Sequence, residues 1–554
     1  MPRYRLVRPS RPAVRAPVLD AAQQAVVEHR GGPLLVLAGP GTGKTTTLVE
    51  AVVHRVTQDG LRPDELLVLT FSRRAAAQLR SRIAARLGTT VREPSAMTFH
   101  AYAFALLRAD AVVRGAPPPR LLAGPEQDVM IRELLAGDVD EHTLDWPVSL
   151  LPALRTRGFA SQLRDFLMRA TERGLGPDDL AAYAQQFGRY EWDAAARFLT
   201  EYEQVTSLRA PVAAYDPAEL VAAATDLLAA DSTALTAQRQ ARRVVFVDEY
   251  QDADPAQEQL LQLLAGGGRD LVVVGDPDQS IYSFRGSDIE VIRRFDERFR
   301  SADGTPARTI ALRTSRRLPP ELLVASRRVA ERLGGPVAHR NLVSADTGVE
   351  AADAPPVVGV AVLGSATREA AHIAGVMRSA HLRDGVSWSS MAVLVRTARQ
   401  LGPLRRALSG AGVPASVEVE AVPFTDEPAV RPLLWLLEVA LDRRRLDVAL
   451  AIDLVTGPYG GADALALRRL RRRLRLDHAV RETTGPDPIA DAADAEPKSG
   501  QLLVEALDDA ARLKDLPAAV AAPARAIARI LAAARAALTA PAATAESALW
   551  AMWS

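Results

Sequence analysis

The stretch LLVLAGPGTGKTTTLVEAVVHRV, residues 34–56, constrains the fold more than any other part of this chain. Leu34–Ala38 is a short apolar run, as expected of a strand buried on both faces of a parallel sheet. GPGTG interrupts the pattern, and from Lys44 the sequence reads as helix. A strand that passes through a glycine loop into a helix N-terminus makes a phosphate cradle. Gly39, Gly41 and Gly43 let backbone N–H groups approach phosphate oxygens, and the helix start adds partial positive charge. Lys44 then reaches the β- and γ-phosphates, and Thr45 ligates magnesium. Pro40, Thr42 and Thr46 complete the loop, and Ala38 stands where the strict pattern has its first glycine. The plain alternative is a tight strand–helix turn with a chance lysine. Lysine usage argues against it. Lys44 is one of three lysines, with Lys498 and Lys514, and arginine supplies the rest of the 68 basic residues. A chain that uses arginine almost everywhere has kept a compact ammonium at this position.

At 554 residues the chain exceeds one core and implies several domains. Its net charge of +1 gives no overall pull toward nucleic acid, so only local basic surfaces count. The absence of cysteine excludes disulfides, thiolate zinc sites and cysteine nucleophiles, and fits a reducing cytoplasm. No apolar stretch reaches membrane-span length. Residues 1–16 carry arginines and no acid. They read as a transit peptide or a basic arm, and their prolines favour the arm.

A second apolar run, VVFV, delivers Asp248 and Glu249 at its C-terminal end, the edge where a parallel sheet collects ligands. Asp248 would hold magnesium through water, and Glu249 would orient and deprotonate an attacking water. The alternative is an acidic strand end at the surface. A third run, DLVVVGD, leads into PDQSIYSFRGSD. There Gln279 would sense a γ-phosphate. Tyr282, Phe284 and Arg285 mix aromatic and basic groups as single-stranded nucleic acid requires, although such aromatics also serve as packing.

LDAAQQAVVEH, AGPGTGKT, LTFSRRAAAQLRSRI, AMTFHAYAFALLR, VFVDEYQD and VVVGDPDQSIYSFRGSD follow one another between residues 19 and 288. In order and form they resemble the UvrD/Rep (superfamily 1A) DNA helicases. The resemblance implies an α/β fold: RecA-like phosphate-loop lobes with parallel sheets, plus helical insertions. It implies ATP and Mg2+ as cofactors, single-stranded DNA and single-strand/duplex junctions as partners, 3′–5′ movement, and a role in repair and recombination in a bacterial cytoplasm. Gln23 would read the adenine edge. Ser72, Arg73, Phe99 and His100, with Tyr282, Phe284 and Arg285, would line the DNA strand. TIALRTSRRLPPELL resembles the family's LxxNYRS segment, which would put Arg317 on the γ-phosphate from the second lobe. Arg316 then takes the place of a tyrosine that stacks on adenine, a departure that a flat guanidinium can accommodate. Thr46 replaces the family's usual arginine. GPEQDVMIRELLAG and GFASQLRDFLMRATERGL resemble the AdnA/AdnB helicase–nuclease subunits, which implies a second such subunit as partner.

The expected organisation is a basic arm over 1–16, a first lobe from 17–100 with 205–296, and a helical insertion over 101–204. An incomplete second lobe follows over 297–430, with strands at VVGVAVLG and MAVLV, and then a second helical insertion over 431–554. LALRRLRRRLRL, in that insertion, reads as phosphate contact or as an amphipathic helix with a solvated basic face. Residues 483–500 read as a linker, and the alanine-rich helix beyond them is expected to break at Pro523 and Pro541. The family's TxHxxKGLEF-like and VxxTRA-like segments do not occur before Ser554. The expectation is the N-terminal portion of a longer protein that binds Mg·ATP and turns it over weakly alone. The alternative is an ATP-binding, DNA-clamping scaffold subunit.

Overall fold

The computed structural model describes residues 16–88, 96–141, 146–209, 213–282, 287–334, 338–345, 358–397, 400–416, 430–483, 499–540 and 543–553. The chain divides into two compact units, Met1–Val360 and Ala361–Ser554.

The first unit is built on six parallel strands: β1 Pro33–Ala38, β2 Leu66–Thr70, β3 Ala96–Thr98, β4 Val244–Val247, β5 Asp270–Gly275 and β6 Arg308–Leu312. Their order is β3-β2-β4-β5-β1-β6. Side chains alternate across the sheet. Leu34 and Val36 face Val26, Leu48, Val52 and Leu79 on one side. These come from helices α1 Ala21–Val27, α2 Lys44–Thr57 and α3 Arg73–Leu87. Leu35 and Leu37 face Tyr102, Leu220 and Leu260 on the other, from α4 Phe99–Val113, α5 Pro217–Ala230 and α6 Pro255–Ala265. Helices on both faces explain why the strands are unbroken apolar runs. Each leucine so buried stabilises the sheet by roughly 1.5–3 kcal/mol.

Two boundaries differ from the sequence expectation. β6 pairs with β1, with Leu34 opposite Arg308 and Ala38 opposite Leu312, so residues beyond 296 complete the first sheet. Ile310 and Leu312 fill the face that Val36 fills, and β1 is thereby paired on both sides. α4 also belongs to the sheet layer, because Phe99, Tyr102 and Leu106 recur at helical spacing on its buried face. The helical insertion proper has its own core, including Ile131, Leu135, Leu163 and Phe198, from the helices Gly124–Glu141, Arg157–Glu172, Pro177–Phe187 and Tyr190–Arg209. A ladder between Arg120–Leu121 and Ala214–Tyr215 ties its two ends together.

In the second unit, helices Ala366–Asp384 and Leu401–Gly410 form around Ala374, Leu408 and Val413. The expected strands on either side of Ala366–Asp384 do not form. Val360, Val362 and Leu394 are at least 90% exposed. These segments have no ladder partner among the described residues, and a strand without one does not persist in water. From Arg431 the unit is helical, with Leu436, Leu454, Leu470, Leu503, Ile527 and Leu531 at its centre. Leu470 and Leu474 bury one side of helix Ala464–Thr483, while Arg468, Arg469, Arg472, Arg473 and Arg475 are exposed. Helix Ala518–Leu538 runs through Pro523, contrary to expectation. Its buried stripe of Ala521, Ala524, Ile527 and Leu531 outweighs the ~3 kcal/mol that an internal proline costs. Pro541 and residues 484–498 of the expected linker lie outside the described residues. No single helix among the described residues is long and apolar enough to cross a membrane.

Candidate functional site

The loops leaving β1, β4 and β5 meet at the C-terminal edge of the sheet. After β1 the chain turns through Gly41 (φ +77°) and Gly43 (φ +85°), left-handed conformations that glycine adopts without strain. Thr42 is buried, and its hydroxyl donates to the Gly39 carbonyl over 2.8 Å. α2 then begins at Lys44, with Thr45 and Thr46 in its first turn. Gln23 is also buried. Its Nε2 donates to the Thr42 carbonyl over 3.0 Å and its Oε1 accepts from the Asp20 amide over 3.1 Å. Its carboxamide therefore braces the phosphate loop.

β4 brings its acids to this loop. Lys44 Nζ lies 3.5 Å from Glu249 Oε2, across 205 residues of sequence. Glu249 has φ 55° and ψ 45°, and among the described residues no other non-glycine has positive φ. That conformation costs an L-residue roughly 1–2 kcal/mol, and such strain gathers at working sites. Gln251 holds it in place: Nε2 donates to Glu249 Oε2 over 2.7 Å, and Oε1 accepts from the Asp276 amide over 2.9 Å. Asp248 is buried and accepts from the Glu249 amide over 3.2 Å. Burial, then the Glu249 charge, push its carboxyl up to about 7, with Lys44 opposing. Asp252 is raised to about 7 by burial and Glu249 in the same way. A buried carboxylate facing an ammonium, with a threonine hydroxyl at the helix start, supplies the hard oxygen donors that Mg2+ takes. Thr45 and Asp248 therefore fit that ion.

After β5, Gln279 donates through Nε2 to the Asp276 carboxylate. After β6, residues 313–317 cross the phosphate loop as a strap. Ser315 Oγ donates to the Pro40 carbonyl over 3.0 Å, and the Arg316 amide donates to the Gly41 carbonyl over 2.9 Å. A Cβ on Gly41 would lie 2.5 Å from Ser315 Oγ and 2.8 Å from Arg317 Cβ. The root of Arg317 therefore lies against the phosphate loop, and the residue is exposed. Arg316 donates to Asp20 over 2.9 Å. Asp20 also caps α1, and the resulting hydrogen bonds, with the arginine charge, hold its carboxyl below the ordinary value despite burial.

The expected DNA-lining residues divide. Ser72 caps α3, accepting from the Ala75 amide over 3.1 Å, and Arg73 beside it is exposed. His100 and Arg73 line a cavity of about 440 Å³ with Arg80, Thr98 and Phe104. Burial, then the Arg73 charge, lower the His100 pKa. Tyr282 stacks on Phe71, ring centroids 4.9 Å apart. Phe99 requires correction: it is 3% exposed and packs in the sheet core, so its ring is not available to a strand. It follows the capping Thr98 and points back onto the sheet as the first residue of α4. Phe284 and Arg285 lie outside the described residues. Sequence reasoning missed Asp20, Gln251, Asp276 and Ser315. Gln251 and Asp276 sit inside the apolar-run motifs, but nothing in their spacing says that they bond to each other.

Residues 19–300 match the UvrD/REP helicase N-terminal domain. The chain is 28% identical over 429 residues to the ATP-dependent DNA helicase UvrD1 of Mycobacterium tuberculosis, covering 76% of this chain and 52% of that protein. It is 26% identical over 422 residues to the ATP-dependent DNA helicase PcrA of Staphylococcus epidermidis, with 76% and 53% covered. It is 29% identical over 459 residues to UvrD2 of M. tuberculosis, with 80% and 61% covered. The chain thus spans between about half and three-fifths of the length of these relatives. With a sheet that brings a phosphate loop, two carboxylates and a strap arginine to one edge, and a domain match over half its length, the chain belongs to the UvrD/Rep helicase family.

Proposed function

We propose that this chain carries the nucleotide site of an ATP-dependent 3′–5′ DNA helicase that acts in DNA repair and recombination. The observation that carries the proposal is the 3.5 Å approach of Lys44 to Glu249, at a phosphate loop whose Gly41 the Arg317-bearing strap touches. Bound Mg2+ would neutralise the charge of the β- and γ-phosphates and be held by Thr45 and Asp248. Lys44 leaves Glu249 for those phosphates. Glu249, still held by Gln251, takes the proton of the attacking water. Arg317 meets the charge that develops on the transferred phosphoryl group, a role worth ~10³–10⁵ in rate for arginines so placed. Arg73, His100 and Tyr282 support a nucleic-acid track beside this edge.

The test is titration of the chain with Mg·ATP, followed by ATP turnover with and without single-stranded DNA. Saturable Mg·ATP binding that Lys44→Ala abolishes is the expected result. No affinity for adenine nucleotides would overturn the proposal.

A further inference from the structure

Residues 338–345 carry no part of the phosphate loop, the carboxylate strand or the strap, yet they touch pieces of the site on three sides. Leu342 and the His339 carbonyl pack against the phosphate loop: a Cβ on Gly39 would lie 2.9 Å from the Leu342 methyls and 3.3 Å from that carbonyl. Val343 and Ser344 pair in parallel with Thr314 and Ser315 of the strap. His339 and Arg340 grip the loop that carries Gln279. Arg340 holds Asp278 with a two-pronged fork, Nε to Oδ2 at 2.8 Å and Nη2 to Oδ1 at 2.7 Å. Its remaining donors reach the Leu333 and Gly334 carbonyls at 2.9 and 2.8 Å. His339 is 1% exposed, and its Nε2 lies 3.1 Å from Asp278 Oδ2 and 3.3 Å from Asp276 Oδ1.

Asp276, Asp278 and His339 have the spacing of a cation site. The protein's own donors already occupy it. Arg340 takes both oxygens of Asp278, and Gln279 donates to Asp276. The cluster therefore reads as an internal ionic joint. Asp276 is its centre: the carboxylate accepts from Gln279, and the amide donates to the Gln251 side chain that holds Glu249.

We propose that residues 338–345 form a clamp that fixes the γ-phosphate sensor loop and the Arg317 strap in one register over the phosphate loop, with His339 and Arg340 as positioning residues for hydrolysis. The clamp rests on the nucleotide-site reading above. Through Asp278 it sets the sensor loop, through the Thr314–Ser315 ladder it sets the strap, and through Gly39 it refers both to the bound phosphates. A guanidinium suits the task because a planar fork fixes a carboxylate in angle as well as distance, which an ammonium does not. A small misplacement of such groups costs turnover far more than binding.

The test compares wild-type chain with Arg340→Gln, Arg340→Lys, His339→Gln, Asp278→Asn and the Asp278→Asn/Arg340→Gln double variant. Mg·ATP affinity, DNA-stimulated kcat and amide hydrogen exchange are measured on each. Arg340→Gln and Asp278→Asn should each lower kcat about ten- to hundredfold while Mg·ATP affinity stays within about threefold. The double variant should be no worse than either single one, and Arg340→Lys should restore little. His339→Gln, which keeps a donor, should lie between. A wild-type kcat in Arg340→Gln overturns the clamp, as do additive effects or equal losses in kcat and affinity. The exchange arm holds even where the wild-type chain shows no nucleotide binding, the result that defeats the nucleotide-site reading itself. Arg340→Gln should speed exchange in 276–282 and in 338–345 together, and unchanged exchange in 276–282 overturns the clamp in every case.

Discussion

Replacing Gly41 with alanine tests the closeness of the strap to the phosphate loop. Gly41 has φ +77°, and an added Cβ would sit 2.5 Å from Ser315 Oγ, 2.8 Å from Arg317 Cβ and 3.2 Å from the Arg317 amide. The left-handed backbone costs an alanine roughly 1–2 kcal/mol. Forcing a methyl into filled space costs roughly 1–3 kcal/mol more. The strap can escape by losing its bonds to Pro40 and Gly41 and moving Arg317 away from the phosphate loop. The penalty therefore falls on nucleotide binding, and Mg·ATP affinity should drop about tenfold or more, which takes about 1.4 kcal/mol. Gly88 is the control. Its φ is +64°, and nothing lies within 4 Å of a Cβ built there. Gly88→Ala carries the backbone strain without the collision. It should lower Tm by a few degrees and leave Mg·ATP affinity unchanged. Titration calorimetry and thermal unfolding on both variants make the comparison. Equal nucleotide affinity in Gly41→Ala and Gly88→Ala would refute the reasoning.

Lys44→Ala should abolish Mg·ATP binding in a titration while leaving Tm within a degree or two of wild type, since its bond to Glu249 is a long 3.5 Å. Asp254 caps α6 while buried, and burial, with Glu172 adding, pushes its carboxyl up to about 7 from 3.8. A raised carboxyl gives the folded state stability that is full below 3.8 and lost as pH rises through about 7. Asp254→Asn keeps the capping oxygen, so its stability relative to wild type should rise between pH 5 and pH 8 in thermal melts. A pH-independent difference would contradict this. Arg86 holds Glu50 through bonds of 2.6 and 2.8 Å, with only 18% and 10% of the two side chains exposed. Arg86→Ala strands the glutamate and should cost roughly 1.5–3 kcal/mol by denaturant unfolding, and Glu50→Gln in the same chain should recover part of it.

The phosphate loop and both carboxylates were legible because their chemistry is local: glycines at fixed offsets before a lysine, acids at the end of an apolar run. In the first sheet β1, β4 and β5 were legible as apolar runs, whereas β2, β3 and β6 were not read as strands. RTIAL alternates weakly, and its place beside β1 depends on a pairing across more than 270 residues that no local pattern encodes. Phe99 was misassigned because a phenylalanine at a helix start looks the same whether it faces a ligand or the sheet. Gln251 and Asp276 were invisible as a pair because their bond joins two loops that only the parallel sheet brings side by side. Val360 and Leu394 show the limit of reading strands from apolar runs, since a strand exists only where another backbone accepts it.

Ala38 and Leu312 stand opposite each other as the last pair of the β1–β6 ladder, six residues before Lys44 and five before Arg317. The ammonium and the guanidinium are therefore carried on tethers of nearly equal length that spring from a shared hinge-line. Sliding one root past the other would break the whole β1–β6 ladder. The sheet therefore fixes the spacing of the two roots, and only the short loops beyond them are left to vary the distance between ammonium and guanidinium.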